Sequence, residues 1–176
     1  MKVKSGIIIM LSAALLTGCE SSGKVNDKNY LKAVTISGSS NIGLTMEFFG
    51  SDEKISAKGS KLADALGNAE LSLGREIFTG YTELVVLDNC DYSGTLAHML
   101  NEWKVSPDCI VAYGEPDLKK CSAEQLKGSV KQAEKQKLTG KCDIISVLSK
   151  LEQNGKSSAP QVSDEGFCGN TVITNG

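Results

Sequence analysis

The stretch "TELVVLDNCDYSGTLAHMLNEWKVSPDCIVAYGE", residues 82–115, decides the fold. It opens on an unbroken apolar run, Leu84 to Leu87, suited to a strand buried on both faces. Leu96, Met99, Leu100 and Trp103 then recur at helical spacing over 93–104. A second short apolar run lies in "DCIVAYGE", residues 108–115. Strand, helix and strand in that order form a crossover unit, which sets the two strands parallel in one sheet.

Upstream, "LKAVTISGSSNIGLTMEFFG" (31–50) reads as a hairpin. Ile42, Leu44, Met46 and Phe48 alternate strictly, and "SGSSN" supplies turn residues between the two runs. "SDEKISAKG" (51–59) reads as a loop leading to a helix over 60–74, where Leu62, Ala65, Leu66, Ala69 and Leu73 share a face. Ser60 is placed to cap that helix and Gly74 to stop it in the left-handed conformation.

Downstream, "SAEQLKGSVKQAEKQ" (122–136) opens on the capping-box pair Ser122 and Gln125 and carries a thin apolar stripe, the pattern of a surface helix. "CDIISVLSKLEQNG" (142–155) is a greasier helix through Ile144, Val147, Leu148 and Leu151. "SSAPQVSDE" (157–165) reads as a loop and "GFCGNTVITNG" (166–176) as a closing strand. The whole predicts one α/β domain over 31–176: a mixed sheet of an N-terminal hairpin and two parallel buried strands, packed with about four helices.

The N-terminus carries an address. "MKVK" supplies Lys2 and Lys4, the run Ile7–Leu16 is apolar apart from Ser12, and "LTGC" leads into "ESSGKVNDKN". A positive head, a short apolar core and small residues at a cut site describe an export signal over 1–18. The core has about half of the roughly 20 residues that a spanning helix needs. Leu16-Thr17-Gly18-Cys19 resembles the bacterial lipobox, in which the cysteine is acylated and the chain cut before it. The competing reading is a plain signal peptide with an incidental cysteine. Two or more acyl chains make a stable anchor, so the lipobox predicts attachment to the outer face of a membrane. Residues 19–30, polar and rich in Ser, Asn and Lys, read as a tether.

Cutting before Cys19 leaves 158 residues (176 − 18) and moves the formal charge from −2 to −4 by removing Lys2 and Lys4. That mild acidity, with no basic cluster, argues against a nucleic-acid partner.

Several stretches together resemble the N-terminal region of the Ger(x)C family, the lipoprotein subunits of spore germinant receptors. They are the lipobox Cys19, the strand pair "KAVTISGSSNIGLTMEFFG", and "KGSKLADALGNAELSLGREIFTGYTELVVLDN" over 58–89. "HMLNEWKVSPDCIVAYGE" and the tail "SAPQVSDEGFCGNTVITNG" follow in the same order. The sequence departs from the family at "ESSGK" after Cys19, where Trp-Asp is common, and at Tyr81, where His is frequent. Family members continue for a further domain or two. The resemblance implies a non-enzymatic subunit that assembles with two integral-membrane subunits in the spore's inner membrane and responds to small germinants.

The residues themselves assemble no catalytic constellation. The single histidine, His98, falls mid-helix, and no nucleophile elbow, phosphate loop or dinucleotide fingerprint is present. No cofactor or metal is expected: there is no Cys-x-x-Cys spacing, and one histidine gives little support for zinc. A thiol redox enzyme is disfavoured on the same ground. Asp88, Asp91, Glu115 and Asp117 follow the two buried strands, where ligands of α/β sheets often sit. The rim around Asp88 and Glu115 is therefore the place for a small ligand or cation, against the plainer reading of a solvated loop rim. A free-standing lipoprotein that captures a small solute is the alternative function.

Export permits disulfides. With parallel strands, Cys90 and Cys121 lie at one end of the sheet and Cys109 and Cys142 at the other, which suggests two pairings with Cys168 left over. Five reduced, mostly buried thiols are the competing reading.

Overall fold

A computed structural model describes residues 29–175. The signal over 1–18, the lipobox Cys19 and most of the tether fall outside these residues. The remainder is one α/β domain, a mixed eight-stranded sheet with four helices. No helix among the described residues is long and apolar enough to cross a membrane.

The strands are β1 (Asn29–Ser37), β2 (Ile42–Phe48), β3 (Lys54–Gly59), β4 (Ile77–Phe78), β5 (Leu84–Asp88), β6 (Ile110–Tyr113), β7 (Lys156–Ser163) and β8 (Gly166–Thr174). Between them lie α1 (Leu62–Leu73), α2 (Tyr92–Asn101), α3 (Ala123–Lys135) and α4 (Ile144–Asn154). The sheet order is β3-β2-β1-β5-β6-β7-β8, and β4 pairs with the start of β1. β1, β5, β6 and β7 run parallel, and an antiparallel hairpin extends the sheet on each side. The expected hairpin and the parallel pair β5–β6 are both present, inside a parallel core of four strands rather than two.

The apolar run of β5 has no alternation because both of its faces are covered. Val85 and Leu87 enter a broad cluster with Val34, Ile36, Leu44, Met46, Leu96, Met99 and Val147. Leu84 and Val86 enter a smaller cluster with Ile110, Ala112, Leu126 and Val130. Since the order β1-β5-β6-β7 always advances one way, right-handed crossovers leave their helices on the same face. Accordingly α1, α2 and α4 cover the broad face, while α3, an insertion after β6, covers the other.

Local signals set the helix ends. Asp91, Ser122 and Asp143 each accept a hydrogen bond from the backbone N–H three residues on, of Gly94, Gln125 and Ser146. Gly74 (φ 65°) and Gly155 (φ 67°) close α1 and α4 in the left-handed region.

Four expectations need correction. Lys61, not Ser60, is the N-cap of α1, and it makes no side-chain cap; the Ser60 hydroxyl bonds Asp64 instead. The expected loop at 51–59 contains β3, whose Ile55 and Ala57 pack inward while Ser56 and Lys58 face solvent. The expected loop at 157–165 is β7, with Ser157, Ala159 and Val162 buried. Residues 29–30, assigned to the tether, begin β1 and pair with β4.

Candidate functional site

The carboxyl ends of β5 and β6 come together where their onward loops part. β5 feeds α2 on the broad face and β6 feeds α3 on the opposite face. Adjacent parallel strands whose connections diverge leave a crevice beyond their ends, the usual ligand position in open α/β sheets. Asp88 and Glu115 stand there.

The backbone fixes both residues. The Asp88 carbonyl accepts from the Gly38 N–H at 3.2 Å, and the Gly114 N–H donates to the Leu87 carbonyl at 3.1 Å. Gly114 has φ 143°, and a Cβ there would lie 2.2 Å from the Val162 carbonyl oxygen. Only glycine lets the chain pass β7 so closely and turn Glu115 toward Asp88. Burial, and then the Glu115 carboxylate within hydrogen-bonding reach, push the Asp88 carboxyl above its ordinary range.

The other rim acids have structural work. Asp91 caps α2. Asp117 is 3.6 Å from Lys120, and its backbone N–H donates to Asp164 at 2.7 Å. Among the described residues neither Asp88 nor Glu115 forms an ion pair. Beside them an open cleft of ≈ 400 Å³ is lined by Glu115, Val162, Ser163, Asp164 and Glu165. No group of three or more metal-capable side chains occurs among the described residues.

The expected cysteine pairings do not form: Cys90, Cys109, Cys121, Cys142 and Cys168 are all free. The physical reason is the sheet itself. Cys90 and Cys109 enter the broad cluster, whereas Cys121 and Cys142 enter the cluster under α3. Each proposed pair shares an end of the sheet but lies on opposite faces of it. Burial is the main cause that pushes the Cys90 thiol up to about 11 and those of Cys109 and Cys142 up to about 12. Such thiols are poor nucleophiles and metal ligands at neutral pH. His98 stands edge-on to Trp103 at 6.1 Å, a packing role.

One feature escaped sequence reasoning. Tyr30, Phe78 and Tyr81 form a ring cluster at the opposite end of the sheet, with centroid separations of 5.1–5.7 Å. Phe49 is tied to it by its N–H, which donates to the Tyr30 carbonyl at 2.9 Å. The only signal for it was the density of aromatics at 78–81, because Tyr30 looked like tether and Phe49 like the end of a strand.

Compared with known proteins, the chain matches no family model, no curated protein and no solved structure at a significant level.

Proposed function

We propose that the protein is a non-enzymatic lipoprotein subunit of a spore germinant receptor, held by acylated Cys19 on the outer face of the cytoplasmic membrane. In a spore this is the inner membrane. The observation that carries the reading is the order Leu16-Thr17-Gly18-Cys19 behind a short apolar core, ten residues ahead of β1. The likeness to Ger(x)C proteins over 31–176 supports assembly with two integral-membrane subunits that respond to small germinants. A single domain leashed this way works as an accessory to whatever spans the bilayer beneath it.

Deletion of the gene, scored for spore germination with a panel of amino acids in a strain without redundant receptors, tests the proposal. Loss of the response to at least one germinant is expected; unchanged germination with all of them would overturn it.

The crevice at Asp88 and Glu115 favours a second reading, a free-standing lipoprotein that captures a small solute. A rise in melting temperature with an amino acid or divalent cation, abolished in Asp88→Asn, would select it.

A further inference from the structure

The amino end of the parallel strands carries an apolar surface that no other described residue covers. Tyr81 is 61% exposed, Phe49 41% and Phe78 39%. Tyr30, Phe49, Tyr81 and Glu83 line an open groove of ≈ 490 Å³, and the Phe78 ring packs against Tyr30 and Tyr81 beside it. The other large exposed apolar side chains, Leu71, Leu138, Ile145 and Val172, stand apart on α1, the loop after α3, α4 and β8. Among the described residues, only the ring cluster gathers exposed apolar side chains from three separate segments of the chain.

The position of the chain ahead of β1 bears on what covers it. Residues 1–28 precede β1, and Asn29 and Tyr30 pair directly with Ile77 and Phe78 of the cluster. Asn29 lies ten positions after Cys19. Ten Cα–Cα steps, fully extended, reach at most about 35 Å. An acyl anchor at Cys19 therefore keeps the start of β1 within about 35 Å of the bilayer surface. Tyrosine and phenylalanine are well suited to that boundary, with an apolar body facing the acyl chains and, in tyrosine, a hydroxyl facing the headgroups.

We propose that the amino end of the sheet, through Tyr30, Phe49, Phe78 and Tyr81, seats on the lipid headgroup layer of the membrane that holds the anchor. The inference rests on the lipoprotein reading above and adds an orientation to it. Lys104 and Arg75 are exposed near this end, but several of its other lysines are engaged. Lys127 is paired with Glu83 at 2.6 Å, Lys141 with Asp143 at 3.1 Å, and Lys131 lines the same cleft as Asp108. The contact is accordingly only weakly sensitive to salt, because ring insertion outweighs ion attraction.

The four tyrosines provide the ruler. Tyr30 and Tyr81 mark the amino end; Tyr92 and Tyr113 mark the carboxyl end, where both are partly exposed. The acylated protein is reconstituted in phosphatidylethanolamine–phosphatidylglycerol vesicles, recovered by flotation and footprinted with hydroxyl radicals, with mass-spectrometric readout. The reference is the mature chain carrying Cys19→Ser in solution.

Relative to Tyr92 and Tyr113, labelling of Tyr81 and Phe78 is expected to fall about tenfold on vesicles, at low and high salt alike. A tenfold protection corresponds to about 1.4 kcal/mol of burial. The Phe49→Ser/Phe78→Ser variant is expected to float equally well, to keep its Tyr92 and Tyr113 labelling, and to lose the Tyr81 protection. A chain that floats with Tyr81 labelled as fast as in solution overturns the docking and leaves the anchor standing. Protection in native membranes but not in vesicles overturns it in favour of a protein partner. A bare Cys19 by intact mass, with no flotation, overturns the anchor and the docking together.

Discussion

Burial dominates the chemistry of single residues in this protein. Cys90, Cys109, Cys121 and Cys142 are buried and their thiols are all raised, chiefly by loss of solvent, whereas Cys168 is exposed on β8. Because the thiolate is the reacting species, native protein treated with iodoacetamide at neutral pH is expected to be modified at Cys168, with the four others reacting only on unfolding. Intact mass checks this: all five must take up reagent in denaturant without any reductant. A mass two protons low per pair before reduction would restore the disulfides. Asp88 supplies a pH signature of definite sign. Its folded carboxyl titrates above its ordinary value of 3.8, so the folded chain holds that proton more tightly than the unfolded chain does. The stabilisation is complete below about pH 3.8 and is lost as the pH rises through the folded-state value. Asp88→Asn is therefore expected to melt higher than the wild type at pH 7, with the gap closing in acid. A gap independent of pH would show that Glu115 does not act on Asp88.

At the scale of elements, one buried carboxylate ties two parts of the sheet to a helix. Glu47 on β2 is 5% exposed, lies 3.6 Å from Lys32 and 3.5 Å from Lys54, and accepts the Ala123 N–H at 3.0 Å. Lys54 on β3 reaches on to the carbonyls of Leu118 and Cys121, in the segment that leads into α3. A carboxylate at a helix N-terminus is favoured by the orphan N–H groups and the helix dipole. Removing it leaves two lysines without their buried partner, so Glu47→Ala is expected to lower stability by about 3–5 kcal/mol in urea unfolding. Glu47→Gln, which keeps an acceptor for Ala123, should cost less. None of this was legible in the sequence, where Glu47 is simply the polar member of an alternating strand. The strands missed at 54–59 and 156–163 have a shared cause. Their inward positions are filled by small or modest residues, Ile55 and Ala57 in one, Ser157, Ala159 and Val162 in the other. Pairing with β2 and β8 supplies the missing stability. Lys54 and Lys58 on β3 also suit an edge strand that must not pair with another copy.

For the whole molecule, the two apolar clusters share β5 and β6 and cannot come apart separately. Trp103 reports on the broad face and the Cys121 and Cys142 thiols on the face under α3. Unfolding followed by tryptophan fluorescence and by thiol reactivity at equilibrium is expected to give one midpoint in urea. Two midpoints would mean that α3 and its cluster form a separate unit. The elements whose signal is local were readable in advance: β5 and β6 from their continuous apolar runs, α3 and α4 from their caps and spacing. The placing of Asp88 and Glu115 at one end of the sheet follows from parallel strands, while their approach depends on the turn at Gly114. By itself the sequence determined the order of the main elements, the parallel pairing at the centre and the end of the sheet where the acids gather, because periodicity, caps and crossovers act over a few neighbouring residues. Only the tertiary structure decided which face each cysteine enters, that Glu47 caps α3, and that Tyr30, Phe49, Phe78 and Tyr81 form one surface. Those outcomes depend on strand order and on the face to which each connection crosses, and residues dozens of positions apart carry no local mark of either.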